Sequence, residues 1–153
     1  MPHRHQWQSR IKSVEREYAA MRQAADRLAQ TTLDDPNVLV HSSILRGELR
    51  YRDIDEASRN LEATYVIRIF AEFESGARQF WSTLKPSKPQ AADLIAGLAA
   101  RRGIPDTQRD NADSVRKYRN VLVHEREEDM EPMPISVARS RLCHFFSFLP
   151  ERW

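Results

Sequence analysis

The chain has 153 residues, of which 41% are hydrophobic and 30% charged, and these proportions suit one domain over 1–153 with a single core. Its 24 basic and 22 acidic side chains leave a formal charge of +2, too small to bind nucleic acid through overall charge alone. One cysteine excludes an intramolecular disulfide, and no apolar run reaches the ~18 residues that a membrane span needs. The first residues lack a secretory signal. We therefore expect a cytoplasmic protein with no membrane contact.

Apolar residues recur at helical spacing through the first part of the chain. We predict a long amphipathic helix over 6–30. Its apolar stripe comprises Trp7, Ile11, Val14, Tyr18, Met21, Ala25 and Leu28. Asp34, Asp35 and Pro36 are typical of a helix boundary. The segment 38–49 is predicted to be a short helix, with an extended conformation over 38–40 as the alternative.

The rest of the chain also favours helices, because alternating apolar and polar runs are rare and only four glycines occur. Asp55 and Ser136 are predicted N-caps, and Gly103 is predicted to end a helix. An acidic segment with prolines forms a loop over 127–134. The predicted helices are 55–84, 90–102, 107–127 and 136–149. The fold class is therefore an all-α up-and-down bundle of about five helices.

Residues that can perform chemistry are concentrated on the helix 107–127. With Arg119 at zero and ~100° per residue, a helical wheel places Asn120 near ~100° and His124 near ~140°. Leu122 falls near ~300°, on the apolar side. Histidine exchanges protons near neutral pH because its unperturbed pKa is ~6.5, and arginine is a permanent cation whose planar fork matches phosphate oxygens. This helix therefore has one reactive face and one core face.

These side chains suit the cleavage of RNA. RNA supplies its own nucleophile in the 2′-hydroxyl, so cleavage needs a proton-transfer group and a cation, and in principle no metal. We expect His124 to move protons and Arg119 to stabilise the charge that develops at phosphorus. Asn120 would fix the imidazole or hold a phosphate oxygen. The alternative is that these three residues form an ordinary solvated stripe on an exposed helix.

Glu74 lies on the apolar face of the preceding long helix, within ~40° of Phe70 on a helical wheel. A carboxylate on such a face needs a partner, because an unpaired buried charge is costly. Arg119 or His124 could be that partner, and Glu74 would then orient the catalytic pair. The alternative is a boundary glutamate that reaches solvent or pairs with Arg78.

Other side chains are interpreted as structural. Cys143 lies in a Phe-rich helix and is predicted to be a buried, inert thiol rather than a nucleophile. Trp7, Trp81 and Trp153 are predicted core or interface residues, and Glu72 a solvated one. The only lysines are Lys12, Lys85, Lys88 and Lys117. Affinity for RNA would therefore depend on local patches such as Arg101-Arg102 and Arg116-Lys117.

The sequence pattern on the helix 107–127 resembles that of the HEPN domains. Their signature is an arginine, a polar residue, a short spacer and a histidine on a late helix of an all-α bundle. Arg119, Asn120 and His124 match this signature, with four residues between the arginine and the histidine. The stretch 65–76 looks like the second helix of HEPN ribonucleases, in which a glutamate sits among apolar residues. The resemblance covers about 56–150.

The resemblance implies a metal-independent endoribonuclease that acts as a homodimer, often as a toxin or in defence. Its catalytic residues would be Arg119, Asn120, His124 and Glu74, without a cofactor or a metal ion. A two-fold axis would duplicate His124 and so supply both a base and an acid. The implied partners are RNA, a second copy, and an antitoxin or defence-system protein. Two other classes stay open: a non-catalytic helical interaction module, and a regulatory partner that binds through its N-terminal helix.

Overall fold

Five α-helices account for most of the described chain. The computed structural model describes residues 3–38, 50–124 and 130–153. The helices are α1 (Arg4–Asp34), α2 (Tyr51–Leu84), α3 (Ala91–Arg102), α4 (Asp106–His124) and α5 (Ile135–Ser147), and a 3₁₀ turn, Pro36–Val38, follows α1. No β-strand occurs within these three described ranges. The predicted all-α bundle of about five helices is confirmed.

The two longest helices, α1 and α2, form an antiparallel pair. The indole of Trp7 donates to Gln79 at 3.0 Å near one end of the pair, and Arg22 donates to the hydroxyl of Ser58 at 2.8 Å near the other. The connecting segment 39–49 and the predicted structure within it lie outside the described residues. Because the helices pair along most of their length, each can present a second face to other elements.

The last helix, α5, covers one part of that pair. It begins where the backbone N–H of Ile135 donates to Glu62 at 2.8 Å, and further on Phe146 packs on Phe73 with ring centroids 5.1 Å apart. These two contacts make α5 parallel to α2 and place it over the middle of that helix. The shorter α3 and α4 pack on each other and on α2.

One hydrophobic core runs through all five helices. Gly76 allows the closest approach in it, because a Cβ there would lie 2.7 Å from the ring of Trp7 and 2.9 Å from that of Phe146. Trp7 and Trp81 are buried, as predicted, and the half-buried Trp153 packs on the buried Phe80. The largest fully buried side chains are Phe70, Phe73, Phe145, Phe146, Ile11, Ile69, Leu94, Ile95, Leu98, Leu142, Leu149 and Val66.

The predicted N-cap Asp55 is wrong. Helix α2 begins at Tyr51, and the carboxylate of Asp53 accepts a hydrogen bond from the backbone N–H of Arg50 at 2.9 Å. That reciprocal contact satisfies one of the backbone donors that a helix start exposes. Asp55 lies one turn inside the helix and pairs with Arg59 at 2.8 Å.

The predicted N-cap Ser136 is also wrong, because α5 starts at Ile135 and follows Pro134. Glu62 of α2 caps this helix by accepting the N–H of Ile135. A cap supplied by another helix leaves no local pattern in the sequence. By contrast, α3 ends at Gly103 with φ +62°, as predicted, and α4 is described up to His124, so its predicted extension to 127 lies outside the described residues.

Beyond the core, α1 and α2 continue as a two-helix extension, here named the distal arm, comprising 18–34 of α1 and 51–61 of α2. The predicted apolar stripe of α1 is buried only as far as Val14, whereas Met21 and Leu28 are 47% and 41% exposed. Together with side chains from α2 they line an apolar groove of about 320 Å³. The distal arm therefore has an apolar face that the other described helices leave open to solvent.

Candidate functional site

Helix α4 buries one face and exposes another. It buries Ala112, Val115 and Tyr118. Arg119 and Asn120 are half-buried, and His124, at the last described turn, is exposed. The imidazole is therefore accessible to a solute, and it is not covered by the aromatic residues of α5.

Arg119 is held from two sides. Its Nη2 donates to Oε2 of Glu74 at 3.3 Å, and its guanidinium carbon lies 4.7 Å from the centroid of the Phe70 ring. The side chain keeps 22% of its surface exposed. Because arginine has five N–H donors and this carboxylate engages one of them, a fixed cationic edge remains available to an anion.

Glu74 has both of the partners that the sequence offered as alternatives. One of its oxygens accepts from Arg119, and the other accepts from Nε and Nη2 of Arg78 at 3.0 and 2.5 Å. A single carboxylate shared by two guanidiniums leaves one positive charge uncompensated. The electrostatics of this cluster therefore favour an anion near Arg119.

Arg78 also belongs to the site, although from the sequence it was only an alternative partner for Glu74. Its Nη1 also donates to the backbone oxygen of Pro89 at 2.8 Å, which fastens the connection between α2 and α3. Here the contact series Arg119, Glu74, Arg78 is named the guanidinium row. The spacing of Glu74 and Arg78 was readable from the sequence, since residues four apart meet on a helix. The contact with Pro89 has no such local signal.

Asn120 and His124 follow Arg119 on α4 but stand apart from the guanidinium row, about 100° and 140° around the helix axis from Arg119. In an α-helix, the step from residue 119 to residue 124 rises about 7.5 Å along the axis. Among the described residues, no hydrogen bond to either side chain is found. Glu74 therefore contacts one member of the predicted catalytic pair, Arg119, and the predicted orienting contact with His124 does not occur.

The predicted basic patch on α4 is partly neutralised. Asp113 accepts from Arg116 at 2.6 Å, and Lys117 lies 3.3 Å from the same carboxyl group. Burial acts to raise the pKa of Asp113, but the hydrogen bonds and charges of the two cations outweigh it and lower that pKa. This pair contributes less free positive charge than the sequence suggested.

The remaining reactive side chains have structural surroundings. Cys143 is half-buried, whereas a buried thiol was predicted, and its partial burial raises the pKa of the thiol. Glu72 lies at the surface, 3.8 Å from Arg10. Over 3–38, 50–124 and 130–153, no three histidine, cysteine, aspartate or glutamate side chains lie close enough together to hold a metal ion.

No protein-family model, no curated protein and no solved structure matches the chain. The HEPN relationship thus stays a prediction that rests on Arg119, Asn120 and His124. In the part of the chain that the structure describes, no helix is long and apolar enough to cross a membrane.

Proposed function

We propose that this protein is a metal-independent endoribonuclease of the HEPN type that acts as a homodimer. The observation that supports it best is the fixed guanidinium of Arg119, which lies on the same helix, α4, as the exposed imidazole of His124. A preoriented cation stabilises developing charge without reorganising during the reaction. An accessible histidine further along the same helix would provide the proton transfer that RNA cleavage needs.

The reaction is an internal transfer at phosphorus. One imidazole takes the proton of the 2′-hydroxyl as that oxygen forms a bond to phosphorus, while Arg119 binds a non-bridging oxygen. The bond from phosphorus to the 5′-oxygen breaks, and the leaving oxygen takes a proton from a second imidazole, supplied by His124 of another copy. The products are a 2′,3′-cyclic phosphate and a 5′-hydroxyl, and the two histidines have exchanged their protonation states.

Glu74 and Asn120 act as supporting residues in this proposal. Glu74 holds Arg119 in place. Because Arg78 also pairs with the Glu74 carboxylate, the positive charge of Arg119 is only partly neutralised and can attract the phosphate. Asn120, between Arg119 and His124 on the helix, would donate to a phosphate oxygen. Loss of either support should slow the reaction less than loss of Arg119 or His124.

The deciding experiment measures cleavage of end-labelled RNA in EDTA. General acid-base assistance contributes ~10²- to 10⁴-fold and a charge-stabilising donor ~10²- to 10³-fold, so His124→Ala and Arg119→Ala should abolish detectable cutting. His144→Ala and Arg16→Ala, two exposed residues on other helices, are matched controls that should cut normally. DNA and 2′-O-methyl RNA should be inert, since both lack the nucleophile. Wild-type activity in a folded His124→Ala protein would remove this assignment.

The homodimer is tested separately by its dependence on concentration. Activity per molecule should fall on dilution below the dimer dissociation constant, in parallel with the mass measured by light scattering. A strictly monomeric protein with full activity at nanomolar concentration would contradict the two-histidine scheme. It would leave the role of Arg119 intact.

A second candidate, a non-catalytic helical dimerisation module, is favoured by the apolar groove of the distal arm. Met21 and Leu28 are exposed there, and an apolar helical face of this kind is typical of surfaces that pack against another helix. In that case Leu28→Gln should lower self-association in sedimentation experiments, and His124→Ala should have no effect on any property of the protein.

A further inference from the structure

A second cavity, of about 390 Å³, lies where α2 passes into α3. Three of its lining side chains are cationic: Arg78, Lys85 and Lys88. The indole of Trp81 forms an apolar wall, and no carboxylate lines it. Its size lies in the range that holds a small ligand, and its charge selects an anion.

The shape of this cavity is fixed by contacts behind it. Arg78 donates to the backbone oxygen of Pro89 at 2.8 Å, and the indole N–H of Trp81 donates to the hydroxyl of Ser87 at 3.1 Å. On its far side the Trp81 ring packs on Gly97, where a Cβ would lie 2.8 Å from the ring. The connection between α2 and α3 is therefore held against α2 by two hydrogen bonds.

The lysines of this cavity exceed what the end of a helix needs. The C-terminal carbonyls of α2 favour one cation in the last turn, and Lys85, directly after Leu84, answers that need. Lys88 lies three residues further on, beyond the reach of that effect, and it still lines the cavity. Two of the four lysines of the chain thus fall within four residues. In the described ranges, no acidic side chain forms an ion pair with either.

The cavity is continuous with the candidate active site through the guanidinium row. Arg78 contacts both Glu74 and the wall of the cavity, and Glu74 contacts Arg119. Glu74 and Arg78 are one helical turn apart, about 5–6 Å. A strand whose scissile phosphate lies on Arg119 would therefore extend its neighbouring nucleotide towards the cavity.

We propose that this cavity binds a nucleotide of single-stranded RNA that flanks the scissile position, through the phosphate of that nucleotide. The register of the strand rests on the proposed function; the binding of phosphate does not. Lys85 and Lys88 contact the phosphate oxygens, and the edge of Trp81 packs on the sugar or base. The same chemistry would accept the phosphate of a free mononucleotide, and the experiment distinguishes the two sources.

The test measures binding of a short fluorescent 2′-O-methyl RNA, which the proposed reaction cannot cleave, by anisotropy in EDTA at several salt concentrations. The double variant Lys85→Gln/Lys88→Gln should bind about tenfold more weakly. The slope of log affinity against log salt should flatten by about 1.4, or about 0.7 for each lost phosphate contact. The control Lys12→Gln/Arg16→Gln removes the same charge from exposed positions on α1, which does not contact α3 or α4 in the described chain. It should bind as the wild type does.

Equal losses in the two double variants would overturn the proposal, because only overall charge would then matter. The proposal would also be overturned if the wild-type protein does not bind the RNA, or if a free mononucleotide displaces the bound RNA at micromolar concentration. If cleavable RNA is bound through Lys85 and Lys88 but never cut, the cavity stands and the proposed function fails. If the lysine variant cuts limiting RNA at the wild-type rate, the cavity proposal fails and the proposed function stands.

Discussion

The two ends of the α1–α2 pair have similar apolar sequence patterns and different surroundings. At the end of the pair opposite the distal arm, here named the core end, α5 packs against both helices. Gly76 leaves space there for the rings of Trp7 and Phe146. In the distal arm, Met21 and Leu28 continue the same stripe of α1 but stay exposed. An apolar stripe on a helix therefore shows which face can be buried. How much of that face is buried depends on the helix that packs against it, here α5.

The guanidinium row lies on the well-packed part of this pair. Phe70, against which Arg119 packs, is itself almost completely buried. A functional group needs rigid support if its geometry is to persist in solution. Substitutions at the core end should thus disturb the site and the fold together, and substitutions at exposed positions of the distal arm should disturb neither.

The largest contrast is expected between Phe146→Ala and Leu28→Ala. Phe146 is fully buried at the core end, so its truncation should lower the free energy of unfolding by about 3–5 kcal/mol. Leu28 is 41% exposed and lies outside the core, so its truncation should change that free energy by less than about 0.5 kcal/mol. Urea denaturation followed by circular dichroism measures both. Similar losses would mean that the distal arm is covered in solution.

A smaller contrast is expected when a small side chain of α2 is enlarged at each end. Gly76→Ala places a Cβ against the rings of Trp7 and Phe146, and overpacking of this kind costs about 1–3 kcal/mol. The better helix propensity of alanine offsets up to about 1 kcal/mol of that cost. Ala57→Val, an exposed position of the distal arm, is the control and should stay within about 0.5 kcal/mol of wild type. A Gly76→Ala protein as stable as wild type would show that the three helices can move apart freely.

The third contrast compares two arginines whose hydrogen bonds join separate parts of the chain. Arg4 donates to the backbone oxygens of Ser147 and Leu149 at 2.9 and 2.7 Å, where α5 ends. Because these bonds tie the first helix to the last, Arg4→Met should lower the free energy of unfolding by about 1–2 kcal/mol. Arg22 instead joins the two helices of the distal arm through Ser58.

Arg22→Met should therefore raise amide hydrogen exchange in the distal arm and leave global unfolding nearly unchanged. Mass spectrometry of exchanged peptides measures this local effect. Faster exchange spread evenly over all the helices would contradict the division into a core end and a distal arm.

The sequence predicted those features that depend on neighbouring residues. Gly103 ends α3 because a left-handed residue is needed there, and that need is local. The exposure of His124 on α4 is likewise consistent with helical spacing, whereas Arg119 packs on the buried Phe70. The predicted caps Asp55 and Ser136 failed because α2 begins four residues earlier, at Tyr51, and because Glu62 of another helix caps α5 at Ile135.

For contacts between helices, the sequence limited the possible partners of a residue but did not determine which of them it contacts. Glu74 was expected to pair with a residue of the motif or, as the alternative, with Arg78, and the structure pairs it with both Arg119 and Arg78. The tie from Arg78 to Pro89, and with it the cavity at the end of α2, depends on how α3 packs. No spacing within one helix encodes that arrangement.

The smallest expected effect is a dependence on pH at the core end. The folded-state pKa of Asp113 lies below its ordinary value of 3.8, because Arg116 and Lys117 outweigh the opposing effect of burial. The carboxylate therefore stabilises the fold above about pH 3.8, and that contribution is lost as the pH falls through the lowered pKa. Asp113→Asn should cost up to about 1 kcal/mol at pH 7, a value discounted for solvent screening. The difference from wild type should shrink as the pH falls below 3.8.

Asp26→Asn in the distal arm is the control. It removes a more exposed partner, 3.8 Å from Arg22, and should have no measurable effect at any pH. A constant difference between Asp113→Asn and wild type from pH 7 to pH 2 would show that Asp113 acts through hydrogen-bond geometry and not through its charge.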